Sequence, residues 1–168
     1  VLGSRGSILP IFVEQIVSGK KITITDPNMT RFNLTKNQAL DLIFSVIKNG
    51  HGGDIHIPKL DAYRVGDMKE VVLDLMDSKN EEERIPIRIG EKFHETLINK
   101  HEIRNTYENL DGDYIIFENQ LTKDRSETIP NTKKTTLTEE YSSDKVKITP
   151  KEELKEILIE QNLIPKNF

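Results

Sequence analysis

Residues 21–50 read KITITDPNMTRFNLTKNQALDLIFSVIKNG, and four structural signals follow one another within them. Lys21 to Thr25 alternates apolar and polar side chains in period two, which predicts a strand. Asp26, Pro27 and Asn28 supply a turn, because Pro presets its own φ and the Asp and Asn side chains can bond nearby backbone. Arg31 to Leu34 predicts a short extended piece. Thr35 and Gln38 then form a T-x-x-Q capping box. Ala39, Leu40, Ile43, Phe44 and Ile47 make an apolar stripe at helical spacing, and Gly50 ends it. Two extended pieces and an amphipathic helix in so short a stretch point to α+β material.

The flanks repeat the mixture. Upstream, Ser7 to Lys20 predicts a helix with Ile8, Phe12 and Ile16 on one face, Pro10 in the first turn and Gly19 at the end. Downstream, Asp54 to Pro58 predicts a strand with Ile55 and Ile57 on one side. Asp67 to Asp77 predicts a helix from Met68, Val71, Val72 and Leu75. Arg84 to Ile89 reads as strand-like, Lys92 to Ile98 as a short helix and Tyr114 to Phe117 as a strand. From Asn119 to Leu137 the chain turns polar, as in a surface loop or partly disordered linker. Thr149 and Glu152 suggest a second capping box, with Pro150 at the first helical position. Leu154, Ile157 and Leu158 then need a surface to dock on. The expected organisation is 1–118, a polar segment 119–137, and 138–168 with the closing helix. The strands are too few and too scattered to close a sheet alone.

Composition narrows the function. The 168 residues (19.3 kDa) suffice for about one ordinary domain. Without cysteine there is no disulfide scaffold, thiolate metal site or Cys nucleophile. The net charge of −4 argues against a general nucleic-acid binder. No run approaches the ~20 apolar residues that span a bilayer. The first residue is Val1, with no secretory leader after it, so the chain is expected to start inside a longer, cytoplasmic protein.

Several familiar chemistries are absent. Neither G-x-G-x-x-G nor a Walker A loop occurs, and Gly50, Gly52 and Gly53 follow a helix rather than a strand. His51, His56, His94 and His101 lack the spacing of a zinc pair, so no metal is expected. Tyr141 and Lys145 match a catalytic Y-x-x-x-K pair, but they sit in a Ser-Ser-Asp segment rather than on a helix. That match reads as a coincidence. Two stretches carry more. Arg31 leaves the Asp26–Asn28 turn beside Phe32, and Arg88 and Glu91 flank Gly90 just after a strand-like run. Arg presents a fork of donors suited to phosphate oxygens, and a carboxylate can accept from vicinal ribose hydroxyls. Two Arg and one Glu from separate loops would suit a nucleoside diphosphate, although surface Arg–carboxylate pairs would leave the same trace.

Taken in order, VLGSRGSILPIFVEQI, ITITDPNMTRF, HGGDIHIPKL, IRIGEKFHE, DGDYIIF and EYSSD resemble the C-terminal half of the inverting UDP-N-acetylglucosamine 4,6-dehydratases. These belong to the extended short-chain dehydrogenase/reductases, with UDP-sugar 4-epimerases as near relatives. The resemblance covers nearly the whole chain apart from the polar segment. It implies an α/β class: the substrate-binding C-terminal part of a Rossmann-type enzyme, α+β in isolation, with the N-terminal Rossmann half missing. NADP would be bound by that half and not by this chain, and the catalytic Tyr and Lys would lie there too.

The resemblance also implies roles. Arg31, in the family's T-R-F position after Thr30, would contact the UDP diphosphate. Arg88 and Glu91 would hold the diphosphate and the ribose or its surroundings. The strand from Ile22 to Thr25 would pass beside the uracil, and Ser4, Arg5 and Ser7 would line the start of the first helix. The family's Pro between Arg and Gly is Ile89 here, which frees φ at that residue. His94 is expected to be structural. The implied function is that of a substrate-binding part of a UDP-N-acetylglucosamine 4,6-dehydratase in surface polysaccharide or glycan biosynthesis, inactive alone. The alternatives are a UDP-sugar 4-epimerase and a non-catalytic UDP-sugar-binding fragment. The expected partners are a UDP-sugar, the chain's own Rossmann half and further copies in a homo-oligomer. In isolation, the apolar faces around Ile43, Phe44, Val72 and Leu75 are expected to be partly uncovered.

Overall fold

The computed structural model describes residues 1–50, 52–117 and 132–165. His51 and most of the polar stretch, including residues 118–131, lie outside them.

Helix α1 (Ile8–Val17) buries Leu9, Phe12 and Ile16. It ends in a Schellman motif: the Gly19 N–H donates to the Ile16 carbonyl at 3.0 Å and the Lys20 N–H to the Gln15 carbonyl at 2.9 Å. Gly19 takes φ 63°, a conformation open to glycine at little cost. Strands β1 (Ile22–Ile24) and β2 (Thr30–Phe32) follow, separated by the turn in which Asp26 Oδ1 accepts from the Asn28 N–H. Helix α2 (Lys36–Asn49) starts at the expected capping box, with Thr35 and Gln38 each accepting from the other's backbone N–H. Gly50 is its C-cap.

Next come β3 (Asp54–Ile57), β4 (Ala62–Arg64), α3 (Val65–Leu75) and β5 (Glu82–Arg84). Then β6 (Thr96–Ile98), a 3-10 turn at Ile103–Asn105, β7 (Thr106–Glu108) and β8 (Tyr114–Phe117) complete the central region. After the undescribed segment, β9 (Lys133–Lys134), β10 (Tyr141–Ser142) and α4 (Lys151–Glu160) close the fold.

The strands form small sheets rather than one large one. β1 runs parallel to β5, β2 pairs antiparallel with β4, and β6 pairs antiparallel with β10. The largest described sheet has the order β3-β8-β7-β9, all antiparallel. Two apolar clusters organise these pieces. The larger joins α1, α3, α4 and β1 through Phe12, Ile22, Ile24, Met68, Val72, Leu154 and Leu158. Each such side chain contributes roughly 1.5–3 kcal/mol on burial. The smaller gathers Ile57, Ile98, Tyr114, Ile116 and Tyr141.

The departures from the sequence reading have tertiary causes. Residues 92–95 are not helical, and Thr96–Ile98 is a strand. Their backbone groups are taken by distant partners: the Thr30 N–H donates to the Phe93 carbonyl and the Glu95 N–H to Ser143 Oγ. The strand-like run begins earlier than Arg84 and ends there, because pairing to β1 selects Glu82–Arg84. Thr149 does not cap α4; Pro150 is the N-cap. Thr149 is buried instead, its N–H donating to the Ala62 carbonyl at 2.7 Å. Lys133–Lys134, at the end of the polar stretch, adds a strand to the main sheet. Val72 is fully buried, so it is not uncovered, whereas Leu75 is partly buried against the core. Of the faces expected to be uncovered, the one on α2 is: Ile43, Phe44 and Ile47 are 52%, 65% and 76% exposed and no residue of the helix is buried.

Candidate functional site

A cavity of about 630 Å³ opens between the start of α1, strands β1 and β2, and the segment from Ile85 to Leu97. β2 pairs with β4 in a register that sets Arg31 opposite Tyr63. The Arg31 side chain reaches the cavity wall and is about four-fifths buried. Its Nη1 donates to the Thr30 carbonyl at 2.8 Å and to the Phe93 carbonyl at 3.1 Å. Its Nε lies 3.4 Å from Glu95 Oε1, and its Nη2 3.9 Å from Glu91 Oε1. Four acceptors from two segments, β2 and the 91–95 loop, thus fix a cation whose fork of donors matches oxyanions.

Glu91 owes its place to Gly90. The glycine adopts φ 84°, turning the chain so that Glu91 Oε2 accepts from the Arg88 N–H at 3.2 Å. Glu91 Oε1 also accepts from Thr25 Oγ1 at 3.3 Å, tying the loop to the end of β1. Arg88 lines the same cavity and its side chain is exposed. Ile89 points wholly into solvent.

On the other side, Ser7 is the N-cap of α1 and lines the cavity. Its Oγ is buried without a hydrogen-bond partner, beside helix N–H groups that have no intrahelical acceptor. Beneath Arg31, burial pushes the Tyr63 phenol up to about 12, an effect the nearby guanidinium partly offsets.

The sequence-derived candidates therefore separate. Arg31, Arg88, Glu91, Ser4 and Ser7 line one cavity, as do Thr23, Ile24 and Thr25 of the strand expected beside the uracil. Arg5 is exposed and does not line it, and Thr30 is buried behind it. Thr30 Oγ1 lies 2.7 Å from His94 Nδ1 and 2.6 Å from Ser143 Oγ, so both Thr30 and His94 serve the framework. Sequence reasoning missed Glu95, Tyr63 and Ser143. Glu95 and Ser143 had a signal, standing in the quoted IRIGEKFHE and EYSSD runs; Tyr63 became visible only through the pairing of β2 with β4. Tyr141 and Lys145 do not form a catalytic pair: Tyr141 OH is spent on the Leu60 backbone, and Lys145 pairs with Glu139 and Glu140. Among the described residues, no cluster of His, Asp or Glu could hold a metal ion, and no helix is long and apolar enough to cross a membrane.

Residues 1–117 match the family described as polysaccharide biosynthesis protein. The chain belongs to that family. Among curated proteins, it is 35% identical over 159 residues to a UDP-glucose 4-epimerase of Rickettsia massiliae, covering 95% of this chain and 47% of the relative. It is 32% identical over 166 residues to the UDP-glucose 4-epimerase of Rickettsia canadensis, covering 98% and 48%. Among solved structures, it superposes on Pen from Bacillus thuringiensis with a TM-score of 0.83 at 33% identity, covering 98% of this chain and 48% of Pen. The chain spans about half the length of the curated relatives it matches. For this member of the polysaccharide biosynthesis family, the matches and the mixed fold support a partial α/β domain of the extended short-chain dehydrogenase/reductases.

Proposed function

We propose that the chain is the UDP-sugar-holding part of a nucleotide-sugar enzyme, a 4,6-dehydratase acting on UDP-N-acetylglucosamine for surface polysaccharide or glycan synthesis. The observation that carries this reading is the meeting of Arg31 and Arg88 with Glu91 between them on one cavity wall. In this reading Arg31 and Arg88 bind the diphosphate and Glu91 accepts from the ribose. The end of β1 borders the uracil, and the N-terminus of α1 with Ser7 faces the anionic side of the ligand.

The chain offers no cradle for a dinucleotide, since no G-x-G-x-x-G turn joins a strand to a helix. A nicotinamide cofactor such as NADP does not fit the residues present and would belong to a Rossmann half outside this chain. What these residues do is bind the nucleotide, orient the sugar and hold it in register. On this reading the chain alone is inactive, and the whole enzyme is a cytoplasmic homo-oligomer.

The second reading is a UDP-sugar 4-epimerase, favoured by the names of the Rickettsia relatives. It uses the same nucleotide grip. Titrating the 168-residue chain with UDP while following backbone amide shifts tests the grip. Saturable shifts around Arg31 and Arg88 are expected, weakened about ten- to a hundredfold in Arg31→Ala or Arg88→Ala, the effect of losing a charge-assisted hydrogen bond. Absence of shifts in a folded sample would refute the grip for this chain. Mass analysis of products from the full-length polypeptide separates the reactions, because a dehydratase product has lost one water and an epimerase product has not.

A further inference from the structure

Ser143 lies far from Arg31 in sequence and is fully buried behind it. Its Oγ accepts from the Glu95 N–H at 2.9 Å, lies 2.6 Å from Thr30 Oγ1 and donates toward the Thr30 carbonyl at 3.2 Å. Its own N–H donates to the Glu95 carbonyl at 2.8 Å. That same Thr30 carbonyl accepts from Arg31 Nη1, and Glu95 carries the carboxylate beside Arg31 Nε. Ser143 therefore touches one acceptor of the guanidinium, the Thr30 carbonyl, and the backbone of the residue that carries another, without touching the guanidinium itself. A further acceptor, the Phe93 carbonyl, is tied to the same strand by the Thr30 N–H at 3.2 Å. His94 Nδ1, 2.7 Å from Thr30 Oγ1, closes the hydroxyl chain at its outer end.

We infer that Ser143, acting through Thr30 and the 93–95 loop, is a positioning residue for Arg31: the C-terminal segment sets the aim of the cation in the candidate nucleotide site. The alternative role for a buried Ser-Thr-His chain is to fasten three segments together, with Arg31 indifferent to it. The geometry favours positioning because the chain ends on Arg31's own acceptors. With its hydroxyl removed, the Glu95 N–H loses its acceptor and Thr30 loses a partner. Loop and strand then keep only their backbone bonds, Thr30 N–H to Phe93 and Ser143 N–H to Glu95, which loosens the spacing of the Phe93 and Thr30 carbonyls that Arg31 Nη1 bridges. Small displacements of such a group matter, since binding and orientation depend on geometry at the scale of an ångström.

The consequence for ligand binding rests on the proposed UDP grip, but the aim of Arg31 does not, so the two are measured separately. The Nε–H resonance of Arg31, assigned by its loss in Arg31→Lys, reports the ion pair in the 168-residue chain without ligand. In the wild type it is expected to be shifted from the solvated position and slow to exchange with water. Ser143→Ala and Thr30→Val are expected to return it toward the solvated position and to weaken UDP binding about two- to tenfold, the loss of one hydrogen bond's net worth. Thr30→Ser, which keeps the hydroxyl, is expected to restore both. An unchanged Arg31 resonance in folded Ser143→Ala and Thr30→Val overturns the inference, whatever their thermal stability. If Ser143→Ala does not fold, the Thr30→Val and Thr30→Ser pair decides. If the resonance collapses as expected while the wild type fails to bind UDP, the positioning stands and the nucleotide reading falls.

Discussion

Arg31 Nε stands 3.4 Å from Glu95 Oε1, so the cation best placed for a phosphate already has a carboxylate beside it. The Glu95 side chain is 43% exposed and can turn into solvent, whereas Glu91 is held by Thr25 and the Arg88 N–H. An arriving diphosphate would displace the first and leave the second in place.

Glu95→Gln is accordingly expected to tighten UDP binding about two- to fivefold, the worth of a partly exposed ion pair. The gain should shrink at high salt, where the competing charge is screened. Isothermal titration at two ionic strengths checks it. Weaker binding in the variant would mean that Glu95 aims Arg31 rather than competing for it.

Gly66 sits where a side chain has no room. A Cβ there would lie 2.8 Å from Pro27 Cβ and 3.2 Å from the Pro27 carbonyl oxygen, which already accepts from the Gly66 N–H. Gly66→Ala is expected to destabilise the chain by about 1–3 kcal/mol, the range for overpacking. Pro27 belongs to the turn that feeds β2, so backbone amides from Asp26 to Arg31 should shift as well. Urea unfolding together with amide spectra measures both effects.

Two of the three buried tyrosines among the described residues, Tyr63 and Tyr141, give the chain an alkaline limit. Burial raises the phenols of Tyr63 and Tyr141 to about 12 each. The fold thus favours their neutral forms, while the unfolded chain ionises near the ordinary value of 10.0. Their stabilising effect is complete below that value and is lost as pH rises from it toward about 12. Each contributes a slope of roughly 1.4 kcal/mol per pH unit within that window. Tyr141→Phe should remove its share of the slope. It should also cost about 1–3 kcal/mol at neutral pH, because the buried Leu60 N–H, now bonded to Tyr141 OH at 2.7 Å, loses its acceptor. Unfolding midpoints across the alkaline range read both.

Helix α2 exposes Ile43, Phe44 and Ile47 on a stripe with no buried residue. The isolated chain is expected to self-associate through such a face as concentration rises. Phe44→Ser with Ile47→Ser should lower the sedimentation coefficient at high concentration toward that of a monomer while leaving the thermal midpoint nearly unchanged. An equal tendency to associate in the double variant would assign association to another surface.

What was legible in the sequence was local. The α2 capping box, the stop at Gly19, the Asp26–Asn28 turn and the strand cores at Ile22–Ile24 and Tyr114–Phe117 all appear where their residues place them. The reason is that caps, turns and periodicity act within a few residues of chain. The candidate site was half legible: residue chemistry singled out Arg31, Arg88 and Glu91, and the fold set all three on one cavity. What only the tertiary structure decided was everything that depends on partners far along the chain. Residues 92–95 stay irregular because Thr30 and Ser143 take their backbone groups, and Thr149 forgoes its capping role to bond Ala62. Arg31 acquires its aim from the Thr30 and Phe93 carbonyls and, behind them, Ser143. Such contacts leave no periodic trace in sequence, since each is set by the packing of sheets whose strands are distant in the chain.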